Sequence, residues 1–270
     1  MRLLDLFKSF LLDMDGVVYV GGNPIKGSSD TIKYLKENGK TVLFLTNDPR
    51  RSPSEYADKL RSIGIQACSE DVITSAMAIA QHIREEHNSL ENMTAYVIGG
   101  NNLRNQIRST GITIVSGEEG KYADFVILGS HPDFHYNEMK IATLALRNGA
   151  DFYATNRDPA YPSEEGHIPA TGAILASVEI ASGKKAKVAG KPENIIFEVA
   201  LERVNKDKVV MIGDRLDTDI QGGKNAGLST ILVLSGSTKR KDLIDSEIKP
   251  DYIINDLRDL FVDISNLENL

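Results

Sequence analysis

The strongest constraint on the fold is an alternation. Short, unbroken apolar runs recur along the chain with stretches of helical period between them. Phe10-Leu11-Leu12 leads into Asp13, and Thr41-Val42-Leu43-Phe44-Leu45 leads into Thr46-Asn47-Asp48-Pro49. Val209-Val210-Met211-Ile212 leads into Gly213-Asp214, and Thr230 to Leu234 forms another such run. An unbroken apolar run of this length reads as a strand covered on both faces. Residues 29–38 have helical period and stop at Gly39. Pro53 opens a second helix that closes at Gly64, and a third runs from Ala76 to about Glu86. Pro at a helix start and Gly just past its end are the expected punctuation. Strand, helix, strand at this spacing predicts a parallel sheet.

The pattern restarts at Ala95–Ile98, followed by a Gly99-Gly100-Asn101-Asn102 turn and a helix to Thr110. Further strands are predicted at Ile112–Val115, Phe125–Leu128 and Phe152–Thr155. Helices are predicted at Asn137–Asn148, capped by Asn137, and at Gly172–Ser182. The first pattern then resumes: Lys191-Pro192 opens a helix to Val204, strands follow at 209–212, 230–234 and 252–254, and a helix capped by Asn255 closes the chain. The fold class is therefore α/β. A parallel-sheet domain of residues 1–77 and 186–270 is interrupted by a second α/β domain over 78–185.

The net charge of -7 offers no basic patch to neutralise nucleic-acid phosphates, so nucleic acid is excluded as the main partner. A small anionic substrate would need single, well-placed lysines. Cys68 is the one cysteine, so no internal disulfide forms; it reads as a small buried hydrophobe. The opening MRLLDLFKSF lacks the features of a signal peptide, and no run is long enough to span a membrane. These features point to a cytoplasmic protein with no membrane contact.

Polar residues follow the strands where ligands bind in open α/β sheets, at the carboxyl ends. Asp13 and Asp15 project toward that crevice, while Met14 between them packs inward and Gly16 turns the chain. Two carboxylates this close repel unless a cation lies between them or one holds a proton. Mg²⁺ prefers oxygen ligands and takes few of them from protein. One Asp is then free to attack an electrophile and the other to move a proton; the alternative is a strand end followed by a plain turn. Thr46-Asn47 could hold phosphate oxygens or merely cap. With Pro192 at the first helical position, Lys191 sits near the N-cap, a poor place for a cation facing the positive helix end. A bound anion would remove that conflict. Asp214 is placed to complete a metal site with the first pair. Asp219 suits a supporting role, and Asp217 suits helix capping.

Taken together, Asp13-Met14-Asp15-Gly16-Val17, Thr46-Asn47, Lys191-Pro192 and Gly213-Asp214-Arg215-Leu216-Asp217-Thr218-Asp219 resemble the ordered motifs of the haloacid dehalogenase superfamily. The chain looks most like its NagD/p-nitrophenylphosphatase-like branch, with further matches at Thr74-Ser75-Ala76 and Thr155-Asn156-Arg157-Asp158. The resemblance implies an open parallel-sheet, Rossmann-like core with an inserted α/β cap. It implies Asp13 as nucleophile, forming an aspartyl-phosphate, and Asp15 as the acid and then the base. It implies Thr46, Asn47 and Lys191 on the phosphate, with Asp13, Asp15 (through its backbone carbonyl) and Asp214 on Mg²⁺. Asp219 would support the lysine or metal-bound water. Asn156 and Asp158 are candidates for substrate contact from the cap; turn formation before Pro159 is the alternative.

Two positions depart from the branch: Asp48, where a second Asn is usual, and Ala170, where Gly is usual. His131 and His135 read as loop residues. The expected function is Mg²⁺-dependent hydrolysis of a small soluble phosphomonoester. A phosphotransferase or phosphomutase on the same intermediate, or a non-catalytic phosphate-ligand-binding regulator, is the alternative. A cap-to-cap homodimer is compatible with the resemblance.

Overall fold

The computed structural model describes residues 1–163 and 165–266. Contacts divide them into two units. The first comprises Met1–Thr46, Pro53–Ile73 and Lys191–Leu270; the second comprises Asn47–Ser52 and Thr74–Gly190. The divisions between these units fall at 73/74 and 190/191. The short segment after Thr46 joins the second unit, where the Ser75 hydroxyl donates to the Asn47 carbonyl at 2.6 Å.

The first unit is built on a six-stranded sheet in the order Tyr252–Ile254, Ser229–Val233, Val209–Gly213, Ser9–Asp13, Thr41–Thr46, Val72–Thr74. The strand Ser9–Asp13 runs parallel to both neighbours, with Leu12 opposite Ile212 on one side and Phe44 on the other. Phe10, Leu11 and Leu12 are fully buried, as an unbroken apolar run requires. Phe10, Leu12, Phe44, Val210 and Ile212 form the core with Ile32 and Leu35 from the helix Ser28–Glu37. Because the three central strands are parallel and in step, Asp13, Thr46 and the Gly213-Asp214 junction reach the same edge of the sheet.

The second unit has a five-stranded parallel sheet in the order Lys187–Val188, Asp151–Ala154, Phe125–Leu128, Thr94–Ile98, Thr113–Val115. The helices Tyr136–Arg147 and Thr171–Ser182 pack against it through Ile141, Ala145, Leu175 and Val178. An antiparallel hairpin, Ala160–Ser163 with Gly166–Pro169, precedes the second of these helices.

Four local readings are corrected. The helix expected from Pro192 spans Asn194–Glu202, because Glu193 is still extended at φ -74° and ψ 155°. The helix expected from Asn137 spans Tyr136–Arg147, because the ring of His135 caps it, Nδ1 accepting from Glu138 N. The helix expected after Asn255 is the short turn Leu257–Phe261, capped by Asp256, whose carboxylate accepts from Arg258 N; Asn255 instead donates to Asp259. Cys68 is exposed rather than buried, since it precedes a short helical turn and its N–H donates to Asp71. No helix among the described residues is long and apolar enough to cross a membrane.

Candidate active site

Asp13, Asp214, Asp219 and Lys191 converge in the first unit. Lys191 is 3% exposed, and its Nζ lies 2.5 Å from Asp13 Oδ1 and 2.7 Å from Asp219 Oδ1. The other oxygen of Asp219 accepts from the backbone N–H of Arg215 at 3.1 Å. Asp219 is 1% exposed, so the ion pair with Lys191 and the Arg215 N–H stand where water does not reach. Asp214 Oδ2 accepts from Ser237 N at 2.6 Å. Oxygens of Asp13, Asp214 and Asp219 lie within 4.8 Å of one another, the one such cluster among the described residues. His131 pairs with Glu138 instead, at 3.3 Å.

Glycines make this crowding feasible. Gly16 has φ +84°, which favours glycine, and a Cβ there would lie 2.5 Å from Asp214 Oδ2. A Cβ on Gly213 would lie 2.1 Å from the Cβ of Asp219. Any other residue at either position would displace a carboxylate.

The electrostatics are unbalanced. Burial pushes the Asp13 carboxyl well above its usual range; Lys191 opposes this, while Asp219 and Asp214 add to it. Burial, then Asp219, raises Asp214 as well. Burial alone would lower the Lys191 ammonium, but Asp13 and Asp219 outweigh it and hold the group above its usual value. One ammonium thus faces three carboxylates. A hard divalent cation fits this set on charge and on donor chemistry, since every donor is an oxygen. With Asp219 engaged by Lys191 and Arg215, Asp13 and Asp214 are the carboxylates suited to hold it.

The remaining expected residues lie as follows. Asp15 is exposed, and Met14 beside it is 1% exposed, as the alternation predicts. Thr46 ends its strand and is buried. Asn47 belongs to the second unit, where its Nδ2 donates to Asp158 Oδ2 at 3.0 Å and its carbonyl accepts from Asn156 Nδ2 at 2.8 Å. Asp48, one of the departures, is clamped by Arg50: Nε and one terminal nitrogen each donate at 2.8 Å. That guanidinium lies 4.5 Å from the Tyr161 ring.

Comparison with known proteins decides the family. A model described as haloacid dehalogenase-like hydrolase matches residues 10–113, and a HAD-hydrolase-like model matches 188–260. An acid sugar phosphatase of Staphylococcus epidermidis is 38% identical over 264 residues, covering 97% of this chain and 98% of that protein. The chain belongs to the haloacid dehalogenase-like hydrolase family. The 5'-nucleotidase YutF of Bacillus subtilis is 38% identical over 253 residues, covering 93% and 96%. A crystal structure of a glycerol phosphate phosphatase from Mycobacterium tuberculosis in complex with magnesium superposes with a TM-score of 0.89 at 32% identity, covering 99% of this chain and 80% of that one. The hydrolase falls in the NagD/p-nitrophenylphosphatase-like branch and is a phosphoric monoester hydrolase.

Sequence reasoning missed several supports of this hydrolase's site. Ser237, whose N–H binds Asp214, lies 23 residues further on, after the next strand. Gly236 also hugs the Asp214 carboxylate. The signal that could have found them is the Ser235-Gly236-Ser237 turn directly after an apolar strand. Gly190, just before Lys191, packs against Thr155 and Asn47 with no sequence pattern to mark it.

Proposed function

We propose that this hydrolase cleaves a small soluble phosphomonoester in two steps, through an aspartyl-phosphate on Asp13. The single observation that carries this reading is the cluster of Asp13, Asp214 and Asp219 around the buried Lys191 ammonium. An oxygen of Asp13 attacks phosphorus while the bond to the leaving alcohol oxygen breaks, and Asp15 supplies the proton that oxygen needs. Asp15, now a carboxylate, takes a proton from water as that water attacks phosphorus, releasing phosphate and restoring Asp13. The exposure of Asp15 suits a group that must gain and lose a proton.

Lys191 and Thr46, with Asn47 next to Thr46 in sequence, hold the phosphoryl oxygens, whose negative charge spreads during transfer. Asp219 holds Lys191 in place and protonated. Asp13, the carbonyl of Asp15 and Asp214 hold Mg²⁺. When bound, Mg²⁺ offsets the negative charge of the carboxylates and of the transferring group. The magnesium complex of the glycerol phosphate phosphatase supports this choice of metal.

The second unit serves as the cap. The substrate belongs with the small phosphate esters that the relatives' names give, an acid sugar phosphatase, a 5'-nucleotidase and a glycerol phosphate phosphatase, and the cytoplasm is the compartment this reading assigns. The test is phosphate release from a panel of such esters, with and without Mg²⁺, beside Asp13→Asn. Mg²⁺-dependent release that vanishes in the variant is expected. Release that survives either Mg²⁺ removal or the substitution would overturn the assignment.

A further inference from the structure

Thr46 and Lys191 are followed and preceded in the chain by Asn47 and Gly190, and one loop, Thr155–Asp158, grips both of these neighbours. Asn156 Nδ2 donates to the Asn47 carbonyl at 2.8 Å, and Asn47 Nδ2 donates to Asp158 Oδ2 at 3.0 Å. Gly190 N–H donates to the Thr155 carbonyl at 2.8 Å. Gly190 approaches so closely that a Cβ there would lie 2.6 Å from Asn47 Oδ1 and 2.7 Å from the Thr155 carbonyl oxygen. Hydrogen bonds of this kind to the backbone beside a functional residue fix its direction without touching the ligand.

The loop is itself braced. Asn156 Oδ1 accepts from Asp158 N at 3.1 Å, which closes the turn. Gly172 N–H donates to the Asp158 carbonyl at 2.9 Å, and a Cβ on Gly172 would lie 2.3 Å from the Arg157 carbonyl oxygen. Arg157 reaches the buried Glu179 at 3.1 Å. Asn156 is 4% exposed, and both ends of its amide are engaged within the protein. A turn-forming Asn needs only the Asp158 N–H; the bond to Asn47, 109 residues earlier, has no part in the turn.

We propose that Asn156 and Asp158 are positioning residues that set Thr46 through Asn47, while the Thr155 carbonyl of the same loop sets Lys191 through Gly190. The proposal rests on the reading that Thr46 and Lys191 hold the phosphoryl group. Its consequence differs from that of direct contact with the leaving group. Loosening the loop weakens the grip on phosphate itself and slows every ester by the same factor. A residue that read the leaving group would affect esters unequally.

The experiment compares the unaltered chain with Asn156→Ala, the milder Ser75→Ala, and the conservative Asp158→Asn. It measures kcat and KM on aryl, sugar and glycerol phosphates, and the affinity for inorganic phosphate by calorimetry in the presence of Mg²⁺. Thermal melts confirm folding. For Asn156→Ala, kcat/KM is expected to fall about tenfold on all three esters, with phosphate affinity weakened in parallel. Ser75→Ala, which removes one of the donors to Asn47, is expected to show a smaller but equally uniform loss. Asp158→Asn keeps an acceptor oxygen for Asn47 and should stay within about twofold.

Losses that differ between esters while phosphate affinity holds would overturn the proposal in favour of direct substrate contact. If Asn156→Ala does not fold, Ser75→Ala decides by the same criterion, and an unchanged phosphate affinity there overturns the proposal. Phosphate binding without turnover in the unaltered chain would remove the hydrolytic reading, while the affinity comparison still decides the role of the loop. No phosphate binding in the unaltered chain overturns both.

Discussion

Both units are parallel sheets flanked by helices, yet their strand ends carry different chemistry. In the first unit the strands lead to Asp13, Thr46 and Asp214; in the second they lead to Gly99, Gly129 and Thr155-Asn156. Their buried carboxylates differ in the same sense. In the second unit, burial would raise Glu179, but hydrogen bonds from Arg157, Lys185 and Ala186 N outweigh it and hold the group at about 2. In the first unit, burial and neighbouring carboxylates hold Asp13 and Asp214 above their ordinary values. A carboxylate pushed down has its partners and serves the fold. Carboxylates pushed up together have too little compensating charge, one ammonium for three, and a site meant for a cation has that character. The sheet is common to both units; function resides in what stands at its edge.

This contrast can be broken by substitution. Asp13→Asn is expected to have the largest effect, a fall in kcat of about 10⁴-fold measured by phosphate release, because an amide oxygen is a far poorer nucleophile than the carboxylate it replaces. Lys191→Met comes next. It leaves the carboxylates without their ammonium and should destabilise the first unit by about 3 kcal/mol in denaturant melts. Added Mg²⁺ should restore part of that loss, since a ligand that binds only the folded state stabilises it.

Glu179→Gln sharpens the second half of the contrast. It should cost about 2 kcal/mol by removing a charge-assisted network, with phosphate affinity largely kept. Because the folded-state value of Glu179 is depressed from 4.5 to about 2, its contribution is present above about pH 4.5 and lost as pH falls toward 2. Acid melts of the unaltered chain should therefore weaken over that window, and the variant should weaken less. Asp48→Asn should have the smallest effect, within about 0.5 kcal/mol, because the Arg50 side chain it pairs with is 48% exposed.

Much of the first unit was legible in sequence because its signals are local. An unbroken apolar run followed by Asp, Thr or Gly-Asp states both the strand and the edge residue. The expected site residues Asp13, Asp214, Asp219 and Lys191 do meet, although they are drawn from distant segments. What was not legible depends on distant partners. Asn47 looks like a continuation of Thr46, yet its bonds go to Asn156 and Asp158, more than a hundred residues later. Glu179 sits within an apolar helix with nothing nearby to announce its pairing with Arg157. Lys191 was placed at a helix start by the Pro that follows it; the helix begins only at Asn194. The lysine's charge is met by carboxylates from two other segments instead.

The most direct test of the central claim is to locate the covalent phosphate. The enzyme is mixed with Mg²⁺ and an aryl phosphate, quenched in acid within the first turnovers, digested and examined by mass spectrometry. One phosphoryl group is expected on the peptide that carries Asp13, absent when Asp13→Asn is treated the same way. Rapid turnover with no phosphoryl group on the protein, or a group found on any other residue, would contradict it.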